Sequence, residues 1–157
     1  MKANELSCKD LMIGDWVIFH DSGYASDGTT WEENRVCQID SIDGDVRVEW
    51  YDEDGCKEDW PHVSTVFLSP IPLTPEILEK NEFKSYIPEN HLETIYACQD
   101  VWKAVADELY ALWPYQDGSF YLLLRVNGKD MVRMDVHYVH QLQHALRLCK
   151  IEKEIIL

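Results

Sequence analysis

Three histidines near the C-terminal end, His137, His140 and His144, are the residues whose type and spacing first suggest chemistry. At about 100° per helical residue they share one narrow arc of a helix. His140 and His144 have the i, i+4 spacing by which a helix offers two imidazoles to zinc, and the stretch HQLQH is one residue away from the HExxH of zinc proteases. A hydrolytic zinc site needs that glutamate as general base, and the amide of Gln141 cannot take a proton from zinc-bound water. The apolar positions Tyr138, Val139, Leu142, Leu146 and Cys149 are expected to form the buried side, leaving the histidines on the wet side with Gln143 and Arg147. His140 and His144 are thus the metal candidates of the chain, with the expectation that they hold none; no cofactor is expected.

A second constellation mixes aromatic and acidic residues. The phrases EWYDEDG (49–55) and KEDWPH (57–62) set carboxylates beside large rings, and HDSGYASDGTTWEEN (20–34) adds two more rings. Such surfaces suit a basic peptide, because a ring face attracts a cation and the acids complement its charge. The candidate binding residues are Tyr24, Trp31, Tyr51 and Trp60 with Asp52 and Asp54. Alternation along 46–51 turns Trp50 toward the core and Tyr51 outward. The DEDG and DGD stretches lack the register of a calcium loop and read as hairpin turns. The chain contains no GxxxxGK[ST], GxGxxG or GxSxG, and its acids carry no spacing that names a catalytic pair, so a non-enzyme is expected.

The balance of 29 Asp and Glu against 14 Lys and Arg gives a net charge of −15, concentrated in residues 1–70. A surface this acidic repels phosphate, which argues against direct binding to nucleic acid or to anionic membranes and leaves basic proteins or peptides as partners. No apolar run approaches the roughly 18 residues of a membrane helix, and the first residues have no secretory pattern; a cytoplasmic setting is expected. The five cysteines, with no CxxC, read as reduced thiols that are mostly buried.

These residues need elements to position them. DWVIF (15–19) reads as a strand, and 20–34 as a long surface loop. RVCQIDSI, VRVEWY and CKEDW follow, punctuated by Asp43-Gly44 and Asp54-Gly55, and STVFLS (64–69) is a further strand. Thr74, Pro75 and Glu76 open a helix, and Asn81 is the expected left-handed stop. Apolar spacing predicts a helix within 91–113. A second hairpin turns at Asn127-Gly128, and residues 136–151 close the chain as a helix. The expected fold is α+β: an N-terminal SH3-like or Tudor-like small β-barrel over 1–70, packed on a C-terminal part, 71–157, with a β-hairpin and two or three helices.

The phrases MKANELSCKDLMIGDWV, PIPLTPEILEKNEFK and VHYVHQLQHALRL together resemble a set of small uncharacterised proteins of gut Bacteroidales and their prophages. That set carries an ELRIGN-like start, an IPLTEEILEKCGF-like connector and a YVHQLQ-like final helix. This chain departs from it by an inserted SCKD, by Glu82 in place of Gly, by His137 in place of Lys and by His144 in place of Asn. The resemblance implies a setting, prophage or mobile-element cargo, rather than a reaction. The expected function is a non-enzymatic protein- or peptide-binding module. The alternative is an acidic decoy that mimics nucleic acid and blocks a DNA-binding protein.

Overall fold

A computed structural model of the chain describes residues 6–24, 26–43, 45–86, 95–97, 108–126, 129–149, 151 and 153–157. The architecture is mixed α+β, dominated by two antiparallel five-stranded sheets with few helices. The chain divides into two compact units, Met1–Ile71 and Pro72–Leu157.

The first unit is a meander of β1 (Trp16–Tyr24), β2 (Thr30–Asp43), β3 (Asp45–Tyr51) and β4 (Lys57–Val63). A 3-10 turn at Thr65–Phe67 then leads into β5 (Leu68–Pro70), which pairs with β1, giving the order β4-β3-β2-β1-β5. Residues 20–34, expected as a loop, are instead mostly hairpin. β1 and β2 stay in register from Trp16↔Gln38 out to Tyr24↔Thr30. The polar composition that suggested a loop reflects a ladder exposed on both faces over residues 30–34. Its turn is closed by Asp27, whose Oδ1 accepts from the Thr29 hydroxyl at 2.6 Å and the Thr29 amide at 2.9 Å. Those two bonds, the hydroxyl's first, hold Asp27 below the usual carboxylate range.

The core of this unit is Leu11, Val17, Phe19, Cys37, Ile39, Val46, Val48, Val63 and Leu68. The members of β1, β2 and β3 come from alternate positions, as a sheet with one dry face requires. Cys37 is buried among them, and burial pushes its thiol up to about 12. The described cysteines are less buried than expected: Cys8 and Cys149 are half-buried and Cys56 is exposed, while Cys98 lies outside the described residues.

The second unit begins with α1 (Pro75–Lys80), where Thr74 Oγ1 accepts from the Ile77 amide and Pro75 takes the first helical position. The left-handed residue after it is Glu82, at φ 63, not Asn81. Asn81 is buried and clasps the C-terminal segment: its Nδ2 donates to the carbonyls of Ile77 (2.9 Å) and Ile156 (2.7 Å), and its Oδ1 accepts from the Ile156 amide (2.7 Å).

The strands β6 (Lys84–Tyr86), β7 (Ile95–Ala97), β8 (Glu108–Pro114), β9 (Phe120–Val126) and β10 (Lys129–Val136) form the second sheet in reverse sequence order, β10-β9-β8-β7-β6. The helix expected within 91–113 is overturned at both ends, where β7 and β8 stand; residues 91–94 and 98–107 lie outside the described residues. The cause is visible in β8, where Ala111, Leu112 and Trp113 are all buried. A strand dry on both faces loses its alternation, and a short apolar run then reads as well as helix. The second hairpin is present as β9–β10, its Asn127-Gly128 turn outside the described residues. The β8–β9 turn repeats the Asp27 device: Asp117 Oδ1 accepts from the Ser119 hydroxyl (2.6 Å) and amide (3.0 Å).

The chain's last helix is α2 (Val139–Leu148). Leu142 and Leu146 are fully buried, as the spacing requires, but His140 (2% exposed) and Gln143 (6%) are buried too. The expected wet side is therefore corrected for His140 and Gln143, while His137 and Arg147 are exposed as expected and His144 is half-buried. Arg147 apart, the buried arc runs from Ala145 through Leu142, Leu146, Val139 and Gln143 to His140, more than half the circumference. A two-sided apolar reading underestimates a helix covered so widely, because small and polar residues fill the flanks.

Candidate functional site

The histidines come first. The His140 ring stacks on Tyr138 with centroids 5.9 Å apart and meets the His144 ring edge-on at 5.7 Å. Gln141, at the position of a zincin's base, serves the helix start: its Oε1 accepts from the amides of His137 (2.8 Å) and Tyr138 (3.3 Å), satisfying donors that the first turn leaves open. Among the described residues no three His, Cys, Asp or Glu side chains are grouped to hold a metal ion.

The aromatic and acidic residues gather in the first unit, and two irregularities place them. Directly opposed residues of an antiparallel pair share a face. The pairs Val17↔Cys37, Phe19↔Arg35, Asp21↔Glu33 and Gly23↔Trp31 therefore continue the core face outward along the first hairpin. On the other side, β4 opposes Val63 to Val46 but Trp60 to Val48. One residue on β3, Arg47, thus answers two on β4, Pro61 and His62, and His62 takes φ 62. That bulge rephases the strand, so that Trp60 and Val63 share the core face. Strict alternation would have put Trp60 on the opposite face. The Trp60 ring comes within 6.0 Å of Phe19.

The β2–β3 ladder ends at Gln38↔Glu49, while both strands run on. This leaves an open notch of about 680 Å³ between β2 and the tip of the β3–β4 hairpin. Its aromatic lining is Trp50, Tyr51 and Trp60; its acids are Glu33, Asp52, Glu53, Glu58 and Asp59; its cation, among the described residues, is Arg35.

Within the notch the acids are not equivalent. Asp52 belongs to the turn, its Oδ1 accepting from the amides of Asp54 (3.0 Å) and Cys56 (2.7 Å). Asp59 pairs with Arg47, and Glu33 with Arg35. Arg35 also donates from Nη1 to Asp21 at 2.9 Å and lies 5.1 Å from the Trp50 ring centroid. Trp50 is half-buried and packed against the core, as its alternation implies.

The six candidate residues do not form one surface. Tyr51 (66% exposed) and Trp60 (46%) line the notch with Asp52, approaching it from opposite faces of the sheet. Trp31 is spent further out, on Gly23. Tyr24, 83% exposed, stands at the end of the first hairpin, and Asp54 sits in the β3–β4 turn. Missed in the sequence were Arg35, Asp21 and Phe19. Their signal was the alternation Arg35-Cys37-Ile39, which puts a charge in line with two core residues.

Comparisons with family models, with curated proteins and with solved structures gave no match. Among the described residues no helix is long and apolar enough to cross a membrane.

Proposed function

We propose that the first unit is a non-enzymatic binding module that takes a basic protein segment or peptide in the β2–β3–β4 notch. The observation that carries this reading is the mixture in one place of two exposed rings, Tyr51 and Trp60, with five carboxylates. Rings supply apolar area and a face for a cation, and carboxylates steer a positive partner and fix its register. An SH3-like barrel is the fold this reading assumes; it is supported by the strand order, in which β5 returns after a 3-10 turn to make first and last strands neighbours. The mobile-element setting rests on the three resembling phrases alone.

The test is fluorescence titration of the full chain with arrayed Lys- and Arg-rich peptides. Hits are then repeated on Tyr51→Ala and Trp60→Ala. Each variant is expected to weaken binding by about tenfold or more, as aromatic anchors do. A partner that ignores both variants yet is lost between low and moderate salt would instead favour the decoy reading, in which the charge itself is the ligand.

A further inference from the structure

We propose that Trp50, Asp21 and Glu33 form a guanidinium site filled by the chain's own Arg35, and that the partner of the notch presents an arginine which exchanges with it. This rests on the peptide-binding reading above and names the side chain recognised.

The argument starts from what Arg35 touches. Its Nη1 reaches the buried Asp21 at 2.9 Å, its Nη2 bonds Glu33, and its guanidinium carbon lies 5.1 Å from the Trp50 centroid. Two carboxylates served by separate nitrogens, with an indole beside the plane, match the fork and flat face of a guanidinium. An ammonium, a compact and strongly hydrated point charge, has neither. The register makes the arrangement part of the sheet: Asp21 and Glu33 are directly opposed, and Phe19 opposes Arg35.

Two further observations point to exchange rather than a sealed core pair. Arg35 and Glu33 both line the open notch, and the Glu33 side chain is 53% exposed. A displaced Arg35 also has acids close by, since Glu53 and Glu58 line the same notch. A peptide arginine can then replace Arg35 without leaving Asp21 buried and unpaired, an outcome that would be costly.

The experiment uses the full chain with Arg35→Ala, and with Arg35→Lys as the variant that keeps a charge beside Asp21. The probes are methylguanidinium and methylammonium, followed by tryptophan fluorescence and by the indole NMR signals. Arg35→Ala is expected to bind methylguanidinium saturably, at least about tenfold more tightly than wild type and than it binds methylammonium. Arg35→Lys is expected to gain methylguanidinium binding over wild type. An arginine-bearing peptide that binds the notch should gain at least about tenfold on Arg35→Ala, and its lysine counterpart should not.

Folded variants of either kind that show no gain for methylguanidinium would overturn the site. So would equal binding of the two small cations. Peptide binding that depends on Tyr51 and Trp60 but is indifferent to Arg35→Ala would overturn the exchange while leaving the peptide reading intact. Absence of any peptide binding, with the small-cation selectivity preserved, would overturn the peptide reading and the exchange with it, and leave the guanidinium site standing.

Discussion

The indole of Trp31 covers Gly23 across the first hairpin: a Cβ on residue 23 would stand 2.7 Å from Trp31 Cζ2 and 2.8 Å from its Cε2 and Nε1. The two residues are direct register partners, and the ring supplies the contact that a glycine in a strand lacks. Gly23→Ala should therefore displace the ring. Trp31 is 40% exposed, so the ring has somewhere to go, and the net stability change should stay within about 1 kcal/mol because alanine also stiffens the strand. The decisive readout is the Trp31 indole signal, which should move toward a solvated position; an unshifted signal would mean the ring does not rest on Gly23.

His62 holds the bulge that turns Trp60 inward, at a φ of 62. A left-handed conformation costs an ordinary residue roughly 1–2 kcal/mol, and glycine's extra freedom returns about 0.5–1 kcal/mol of that. His62→Gly should then leave the protein unchanged or up to about 1 kcal/mol more stable in urea, since the exposed contact of His62 with Asp45 at 3.3 Å contributes little. His62→Val should destabilise and should disturb the Trp60–Phe19 contact. A Val variant as stable as the Gly variant would contradict the bulge.

Asn81→Ala should cost on the order of 1–3 kcal/mol, because it leaves the Ile156 amide and carbonyl without the amide that serves both. Asn81→Asp should cost more than Ala, since a carboxylate oxygen would face the carbonyls of Ile77 and Ile156 where an NH2 now donates. Hydrogen exchange at Ile156 should quicken in both variants. Unchanged protection there would show that the C-terminal segment is held by something else.

Cys37 and Cys56 should differ in reactivity by their surroundings alone. Burial holds the Cys37 thiol near 12, so it stays protonated through neutral and mildly alkaline pH, and its Sγ lies 3.7 Å from the Val17 carbonyl. Cys56 is exposed in the β3–β4 connection. Iodoacetamide at about pH 8 should label Cys56 in the native protein and reach Cys37 only with urea unfolding. Labelling of Cys37 at native rates comparable to Cys56 would mean that the first sheet opens readily.

What the sequence disclosed was whatever obeys a local rule. Asp54-Gly55, the Thr74-Pro75 helix start, Leu142 and Leu146, and the inward Trp50 follow from turn chemistry, capping and period, and each stands where those rules put it. What stayed hidden depends on partners distant in the chain. The Pro61-His62 bulge inverts the facing of Trp60, and Pro61 was its one local sign, since a proline in a strand marks an edge or a bulge without saying which. Ala111, Leu112 and Trp113 are buried on both faces, which erases the strand period. His140 is buried although helical spacing put it opposite Leu142, and its ring stacks on Tyr138. The notch was half legible: Tyr51, Trp60 and Asp52 were named from composition, whereas Arg35 joins it, and Asp21 meets Arg35, only through the register of the first hairpin.

That same hairpin makes the protein divisible. Beyond Asp21 its two arms carry, among the described residues, no buried residue until Cys37, so a cut between Asp27 and Gly28 falls outside the described core. The short piece would contain β1, which lies between β2 and β5 and meets β2 through nine register pairs. Such a fragment is a central strand that can be supplied in trans, and its return would restore Phe19 beneath Trp60 and Asp21 beside Arg35. The chain is in this sense a ready-made two-part reporter, whose reassembly would be read in the tryptophans it brings back into contact.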